Sequence, residues 1–388
     1  MVNRRDVLKV AAVAAGAMAL RARADGDEII YVDAGGGADG NTGGPDRPLR
    51  TLAEAARRVN AGGGTGAVTV VLAEGVYAVG ETTVLKPERR AFTAAARLTI
   101  RAAVLPDDPA WHIGRMPTLI HTMPIPHEWN GNPDPLGGAA NGLLVETSHV
   151  TIQGLKILGI PAVETPQAGL KRRLYAIARL RRDLEDLEVA QCVFLSDHDI
   201  ASLHVGVIAH GNGVVVRNCI FRGYTKDAVV YWTPGSTGHA MRHCIFHGMY
   251  SSTVWTAGIA ADFDYRNNVV DGATYVWIYQ SGASAQADAS GRPVQATEAG
   301  RLSAPVAPTR YRVIDSFFAH NEKVAGTGTG ARIEFADIDA SFLQLSGTVQ
   351  SAEAVVFEHD ATARGYLHPV SGSPAARAGA GLFTRPVA

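Results

Sequence analysis

One ten-residue phrase recurs along the middle of this chain. Val214-Val-Val-Arg-Asn-Cys-Ile-Phe-Arg-Gly223 returns as His239-Ala-Met-Arg-His-Cys-Ile-Phe-His-Gly248, and more loosely as Phe263-Asp-Tyr-Arg-Asn-Asn-Val-Val-Asp-Gly272. The offsets are 25 residues, Cys219 to Cys244, and 24 residues, Cys244 to Asn268. Repetition at a fixed period in this range is the signature of a solenoid. Each copy is too short to bury its own apolar face, so neighbouring copies must stack.

The register extends upstream through Val150–Gly159 and Leu187–Leu195, and downstream through Tyr311–Phe318. Reading down the copies gives three ladders. The first is Ile152, Val189, Val216, Met241, Tyr265 and Val313. The second is Leu155, Cys192, Cys219, Cys244, Asn268 and Ser316, and the third is Ile157, Phe194, Phe221, Phe246, Val270 and Phe318. Near-alternation of β-branched and aromatic residues predicts strands, not helices. The one-residue break at Asn218, His243 and Asn267 predicts a bend between two strands of one coil. Asn268 is of the type that hydrogen-bonds along a ladder.

These Ile/Val-x-Asn-Cys/Asn-x-Phe coils resemble those of right-handed parallel β-helix proteins of the pectate-lyase-like superfamily. The opening Tyr31-Val-Asp, Asp39-Gly-Asn-Thr and Pro48–Ala56, the strand pair around Val68–Tyr77, and the closing Gly372-Ser-Pro-Ala-Ala376 extend the likeness over most of the chain after residue 24. The resemblance implies the fold: an all-β, right-handed parallel β-helix with an N-terminal capping helix and long loop insertions. It leaves function open, because this scaffold hosts lyases, hydrolases, isomerases and non-enzymes.

Residues 1–24 read as a targeting segment. Asn3-Arg4-Arg5-Asp6-Val7-Leu8-Lys9 has a twin-arginine pattern, Val10–Leu20 is an apolar stretch too short to span a bilayer, and Ala22-Arg23-Ala24 is a small-x-small cleavage site. Asn3 and Val7 depart from the usual twin-arginine preferences. The expectation is an exported protein, periplasmic or secreted, whose residues 25–388 form a single β-helix domain with no membrane attachment once the signal is removed.

Thr51-Leu-Ala-Glu54 is a capping box opening an amphipathic helix to about Val59, placed to close the end of the stack. Residues 103–142, 160–183 and 281–309 read as three insertions. Beyond Phe342 the coil pattern fades, and the chain is expected to fold back over the stack. One outward column, Val193, Ile220, Ile245, Val269 and Phe317, would be a large exposed apolar patch unless that segment, an insertion or a second subunit covers it.

The net charge of −1 supplies no field for recruiting nucleic acid. The three cysteines lie in one inward ladder. A disulfide between stacked neighbours about 4.8 Å apart is awkward, so they read as buried thiols.

The candidate chemistry lies in outward columns. Arg217, Arg242 and Arg266 form one; Arg222, His247 and Asp271 form another. Stacked guanidiniums are comfortable when facing anions or when paired with neighbouring carboxylates, so the columns predict either a groove for an acidic polysaccharide or a solvated, ion-paired face. Tyr231, Trp232 and Trp255 are candidate sugar platforms, and His239 is a candidate at a groove edge. Cleavage of a uronate-containing polymer by β-elimination requires a base for the C5 proton, an acid for the C4 oxygen, and neutralisation of the carboxylate. Lys226 with Arg242 and His247 is the expected acid–base set. Asp227 and Asp271 are the expected ligands if Ca²⁺ serves the site. In the chondroitinase-B-like and alginate-lyase branch of the resembled superfamily a Lys base follows a Glu-x-Glu calcium pair. Here Cys219 and Phe221 stand at those positions, so that calcium site does not carry over. The alternatives are an inverting glycoside hydrolase and a non-catalytic carbohydrate-binding or surface protein.

Overall fold

The structure, a computed structural model, describes residues 26–126, 128–129, 132–133, 138–160, 173–197, 201–223, 225–280, 308–328 and 335–384. The expected signal segment at 1–24 lies outside the described residues, as do Lys171, Arg172, His127, His198 and residues 281–307 of the third insertion.

A single coil shows how the sequence builds the fold. Val214–Arg217 forms a strand of the first sheet, Ile220–Gly223 a strand of the second, and Thr225–Tyr231 a strand of the third. Each strand pairs in parallel with its equivalent one coil away. Repeating this unit produces sheets of ten, nine and nine strands among the described residues. The chain is a right-handed parallel β-helix.

The bend between the first two sheets falls where the alternation breaks. Asn218, His243 and Asn267 have φ of 51°, 55° and 56°. A single left-handed residue turns the chain without a loop, and Asn tolerates that conformation better than most residues. Gln191 and Asp315 occupy the same corner at φ 52° and 46°.

The first and third ladders stack in the predicted register inside the solenoid, and the residues of the second are buried at the corner between them. Phe194 and Phe221 lie face to face at 4.4 Å, and Phe221 and Phe246 at 5.2 Å. Asn268 is fully buried and accepts from the Cys244 amide at 2.9 Å while donating to the Met241 carbonyl at 3.0 Å. It thereby satisfies the Cys244 amide, which lies at the corner between two strands. The three cysteines are buried free thiols, and burial pushes the thiols of Cys192 and Cys219 up.

The helix spans Leu52–Ala61 and buries Leu52, Ala55, Ala56 and Val59 in the same core as the first strands. Half of the capping box forms: Thr51 Oγ1 accepts from the Glu54 amide at 3.1 Å. The Thr51 amide instead donates to Asp39 at 2.9 Å, and Glu54 turns to Arg57 and Arg58.

Two expected insertions contain coil strands. Thr118–His121 and Ala139–Val145 belong to the second and third sheets, and Arg173–Arg179 to the third. The chain also adds two strands of a further coil beyond Phe342, at Leu343–Ser346 in the first sheet and Val349–Ser351 in the second. The segment after it covers the outward apolar column, as expected. Phe357, Leu367, Ala375, Leu382 and Phe383, with Trp111, Ile113 and Met116, pack on Val193, Ile220, Ile245, Val269 and Phe317. Asn218 donates to the carbonyls of Gly381 and Phe383, Gln191 to that of Leu382, and the Gly381 amide to His243 O, so the bend residues also grip this strap.

Candidate functional site

The expected acid–base residues are divided among three sheets. Arg242 lies on the first sheet, His247 on the second and Lys226 on the third. A β-helix points the outer faces of its three sheets in different directions, so these side chains do not meet. Spacing within one coil set their distance along the chain, while the two corners set their directions.

The arginine column is an ion-paired face. Arg217 pairs with Glu188 at 2.5 Å, and Arg242 and Arg266 share Asp264. This is the alternative in which neighbouring carboxylates neutralise the stripe. On the second sheet, Arg222 stacks over His247 and His247 over Asp271. His247 Nδ1 lies 2.7 Å from Asp271 Oδ2, and its ring packs 4.8 Å from Phe357 of the strap. The buried Asp271 also accepts from the Val355 amide at 2.9 Å. His247 and Asp271 therefore help to hold the strap.

Two candidate sugar contacts are structural. Tyr231 points inward, is fully buried, and donates to the Ala240 carbonyl at 3.1 Å. His239 is buried beneath its turn, with Nδ1 accepting from the Val214 amide at 3.2 Å and Nε2 2.7 Å from Ser236 Oγ. Burial and then the Arg179 charge lower its pKa to about 4, so it is neutral near pH 7. Trp255 and Trp232 do lie on the outer side, edge to face at 5.3 Å. Trp255 is buried and donates to Gln280 at 3.1 Å; Trp232 is half-buried.

The outer face of the third sheet gathers the remaining chemistry. One column runs Asn141, Tyr175, Val205, Asp227, Ser252, Tyr275 and Lys323 across seven coils. Asp227 is 1% exposed, and its Oδ1 accepts from Ser251 Oγ at 2.8 Å and Ser252 Oγ at 2.7 Å. Lys226 Nζ lies 3.4 Å from Asp227 Oδ2 and 5.6 Å from the centre of the Trp255 ring. Two coils away, Arg173 Nη1 donates to Tyr175 Oη at 3.2 Å, and the His204 ring meets Tyr175 edge-on at 5.6 Å. Burial is the main cause that pushes the Tyr175 phenol up; Arg173 pulls it down and Asp227 pushes it further up. Farther along, Tyr275 donates to Asp337 at 2.9 Å, which also pairs with Lys323 at 2.8 Å.

Buried cations, a carboxylate and a phenol on an outward face are unusual, because desolvating charge is costly unless it is paired. A cluster of this kind marks either a working site or a polar anchor for covering segments. Sequence reading located Lys226, Asp227 and the two tryptophans but missed Tyr175 and His204, and it assigned Arg173 to an insertion. The signal available was the apolar run Leu174–Ala178, which pairs with Ala140–Leu144 and Val205–Ile208.

Asp227 and Asp271 lie on different sheets and cannot share a cation. Asp227 is already engaged by two hydroxyls and an ammonium, a poor donor set for Ca²⁺, which prefers several free oxygens. Among the described residues no group of three or more His, Cys, Asp or Glu is arranged to hold a metal ion.

The three sheets, the left-handed corner and the inward ladders define a right-handed parallel β-helix. Solved structures similar to it include a rhamnogalacturonan lyase, at 13% identity and TM-score 0.48 over 88% of this chain and 95% of that one. Others are a pectin methylesterase from Aspergillus niger, at 12% identity and TM-score 0.46 over 83% and 85%, and a pectate lyase, at 12% identity and TM-score 0.44 over 89% and 90%. No family model and no curated protein sequence matches the chain.

Proposed function

We propose that this chain is a carbohydrate-active enzyme that cleaves an acidic, uronate-containing polysaccharide by β-elimination on the outer face of the third sheet. The observation that carries the reading is the buried set of Arg173, Tyr175, Lys226 and Asp227 on one outward face, with Trp255 beside it. β-Elimination asks for cations against the uronate carboxylate and for one group each to take and give a proton. Lys226, as half of an ion pair with Asp227, is better suited to hold the carboxylate than to take the C5 proton, and Arg173 shares that role. Tyr175, whose phenol stays protonated near neutral pH, is suited to deliver a proton to the departing C4 oxygen. His204, against the same ring, supplies an imidazole for the C5 proton. Trp255 and Trp232 offer apolar faces to sugar C–H groups. Export through the segment at 1–24 belongs to this reading, since such polymers lie outside the cytoplasm. Among the described residues no helix is long and apolar enough to cross a membrane.

The test incubates the protein lacking residues 1–24 with pectate, alginate, glycosaminoglycans and ulvan, each with and without Ca²⁺, while following ultraviolet absorbance of new C4–C5 double bonds. A rise supports the reading and names the polymer class. New reducing ends without a rise would overturn elimination and favour hydrolysis centred on Asp227. Binding with neither product would make the protein a non-catalytic carbohydrate binder.

A further inference from the structure

Away from the third-sheet face, a second concentration of positive charge lies inside the corner where the third sheet turns back to the first. Arg179 ends the strand Arg173–Arg179 and has no measurable exposure. Its Nε donates to the His210 carbonyl at 2.7 Å and its Nη2 to the Asn212 carbonyl at 2.7 Å, so one guanidinium ties down the turn of the next coil. Among the described residues no carboxylate forms an ion pair with it. The nearest acids, Asp186 and Glu185, act on it through space, and Asp186 is already engaged by Arg97 and His149. An arginine stays charged even here, because burial brings its pKa down only to about 10.

His210 is also fully buried, and its tautomer follows from its partner. Thr233 Oγ1 accepts from the Gly211 amide at 3.0 Å and lies 3.2 Å from His210 Nδ1. With the threonine proton directed to Nδ1, the neutral ring carries its own proton on Nε2. Burial and then the charges of Arg182 and Arg179 hold this ring neutral, with a pKa of about 3. His239, which faces the same charge, is neutral too. Two buried N–H donors remain, Arg179 Nη1 and His210 Nε2, and neither finds an acceptor among the described residues. These two donors lack an acceptor, and the carboxylates that act on the corner, Asp186, Glu185 and Asp262, reach Arg179 and His239 only through space.

We propose that this corner binds a small monovalent anion of the chloride class, held by Arg179 Nη1 and His210 Nε2. A water oxygen would accept both protons but leave the guanidinium charge uncompensated in a medium of low polarity; an anion answers both requirements. The ion would lock three successive turns, at Leu180–Asp186, Gly211–Gly213 and Thr233–Gly238, above the end of the third sheet. The inference is independent of what the outer face does.

The test needs no substrate. Thermal unfolding of the protein is followed at pH 7.5 from 0 to 200 mM sodium chloride, with gluconate holding ionic strength constant. An ion bound by the native state alone raises Tm with its concentration, by about 3 °C or more over a range that spans its Kd. His210→Phe keeps the bulk of the ring and removes its donor, and is expected to abolish the chloride dependence. Because that variant could fail to fold, crystals of the unaltered protein grown with sodium bromide supply the second measurement. An anomalous peak within hydrogen-bond reach of both nitrogens is expected. Equal Tm in chloride and gluconate, or a peak without anomalous signal, would overturn the proposal in favour of water. A bromide peak without any Tm dependence would overturn it as binding at crystal concentration only.

Discussion

Arg173 donates to the phenolic oxygen of Tyr175 from two positions along the same strand, at 3.2 Å and beneath the surface of the third sheet's outer face. Residues two apart on a strand share a face, so this pairing is built into the strand itself. It puts a guanidinium against a group that can carry a proton, one coil from His204 and two from Asp227.

If this face performs the chemistry, Tyr175→Phe and Lys226→Met each lower the turnover of the folded protein at least 100-fold, because each removes a group needed in the transition state. Arg242→Ala and His247→Ala leave turnover within about threefold, since they lie on other sheets. The elimination assay on whichever polymer of the panel gives the ultraviolet rise checks all four; equal losses in the two pairs would remove the third sheet from consideration.

Phe221 is the centre of a three-ring stack and has no exposure. Phe221→Ala is expected to cost about 3–5 kcal/mol, because neighbouring coils cannot collapse into the void. Equilibrium denaturation in urea provides the measurement. A loss under about 1 kcal/mol would mean that the stack relaxes.

His239 binds no proton in the folded protein until about pH 4, against an ordinary value of 6.5. Its contribution is therefore fully present above pH 6.5 and falls as pH drops, the loss reaching about 3 kcal/mol near pH 4. His210, lowered to about 3, acts in the same direction. The urea midpoint should decline between pH 7 and pH 5, and His239→Gln should flatten part of that decline.

Removal of residues 352–388, and with them the strap, exposes Val193, Ile220, Ile245, Val269 and Phe317, which Phe357, Leu367, Ala375, Leu382 and Phe383 cover in the intact protein. The shortened chain is expected to bind a hydrophobic dye and to self-associate. Light scattering beside dye fluorescence tests this, and a monomeric, dye-silent product would show that the column tolerates water.

The repeat was legible because a solenoid writes its core in one short register. Inward residues must match their neighbours about 4.8 Å away, so Ile152 to Val313 and Ile157 to Phe318 align by sequence alone. The bend at Asn218, the capping residue Thr51 and the covered column at Ile220 were legible for the same reason, each being a local or next-coil requirement. The third sheet was less so. Its strands follow loops of variable length, which hid Arg173–Arg179 inside an apparent insertion and Tyr175 with it.

Sequence by itself determined the stack, its register and which side chains of the first two sheets face inward. Tertiary structure decided what shares an outer face. Lys226, Arg242 and His247 are close along the repeat, yet two corners turn them to three sides, while Tyr175 and Asp227 are 52 positions apart and lie in one column. A core is specified by neighbours in the repeat, whereas a site depends on the direction in which each sheet points, and only the closed coil sets that.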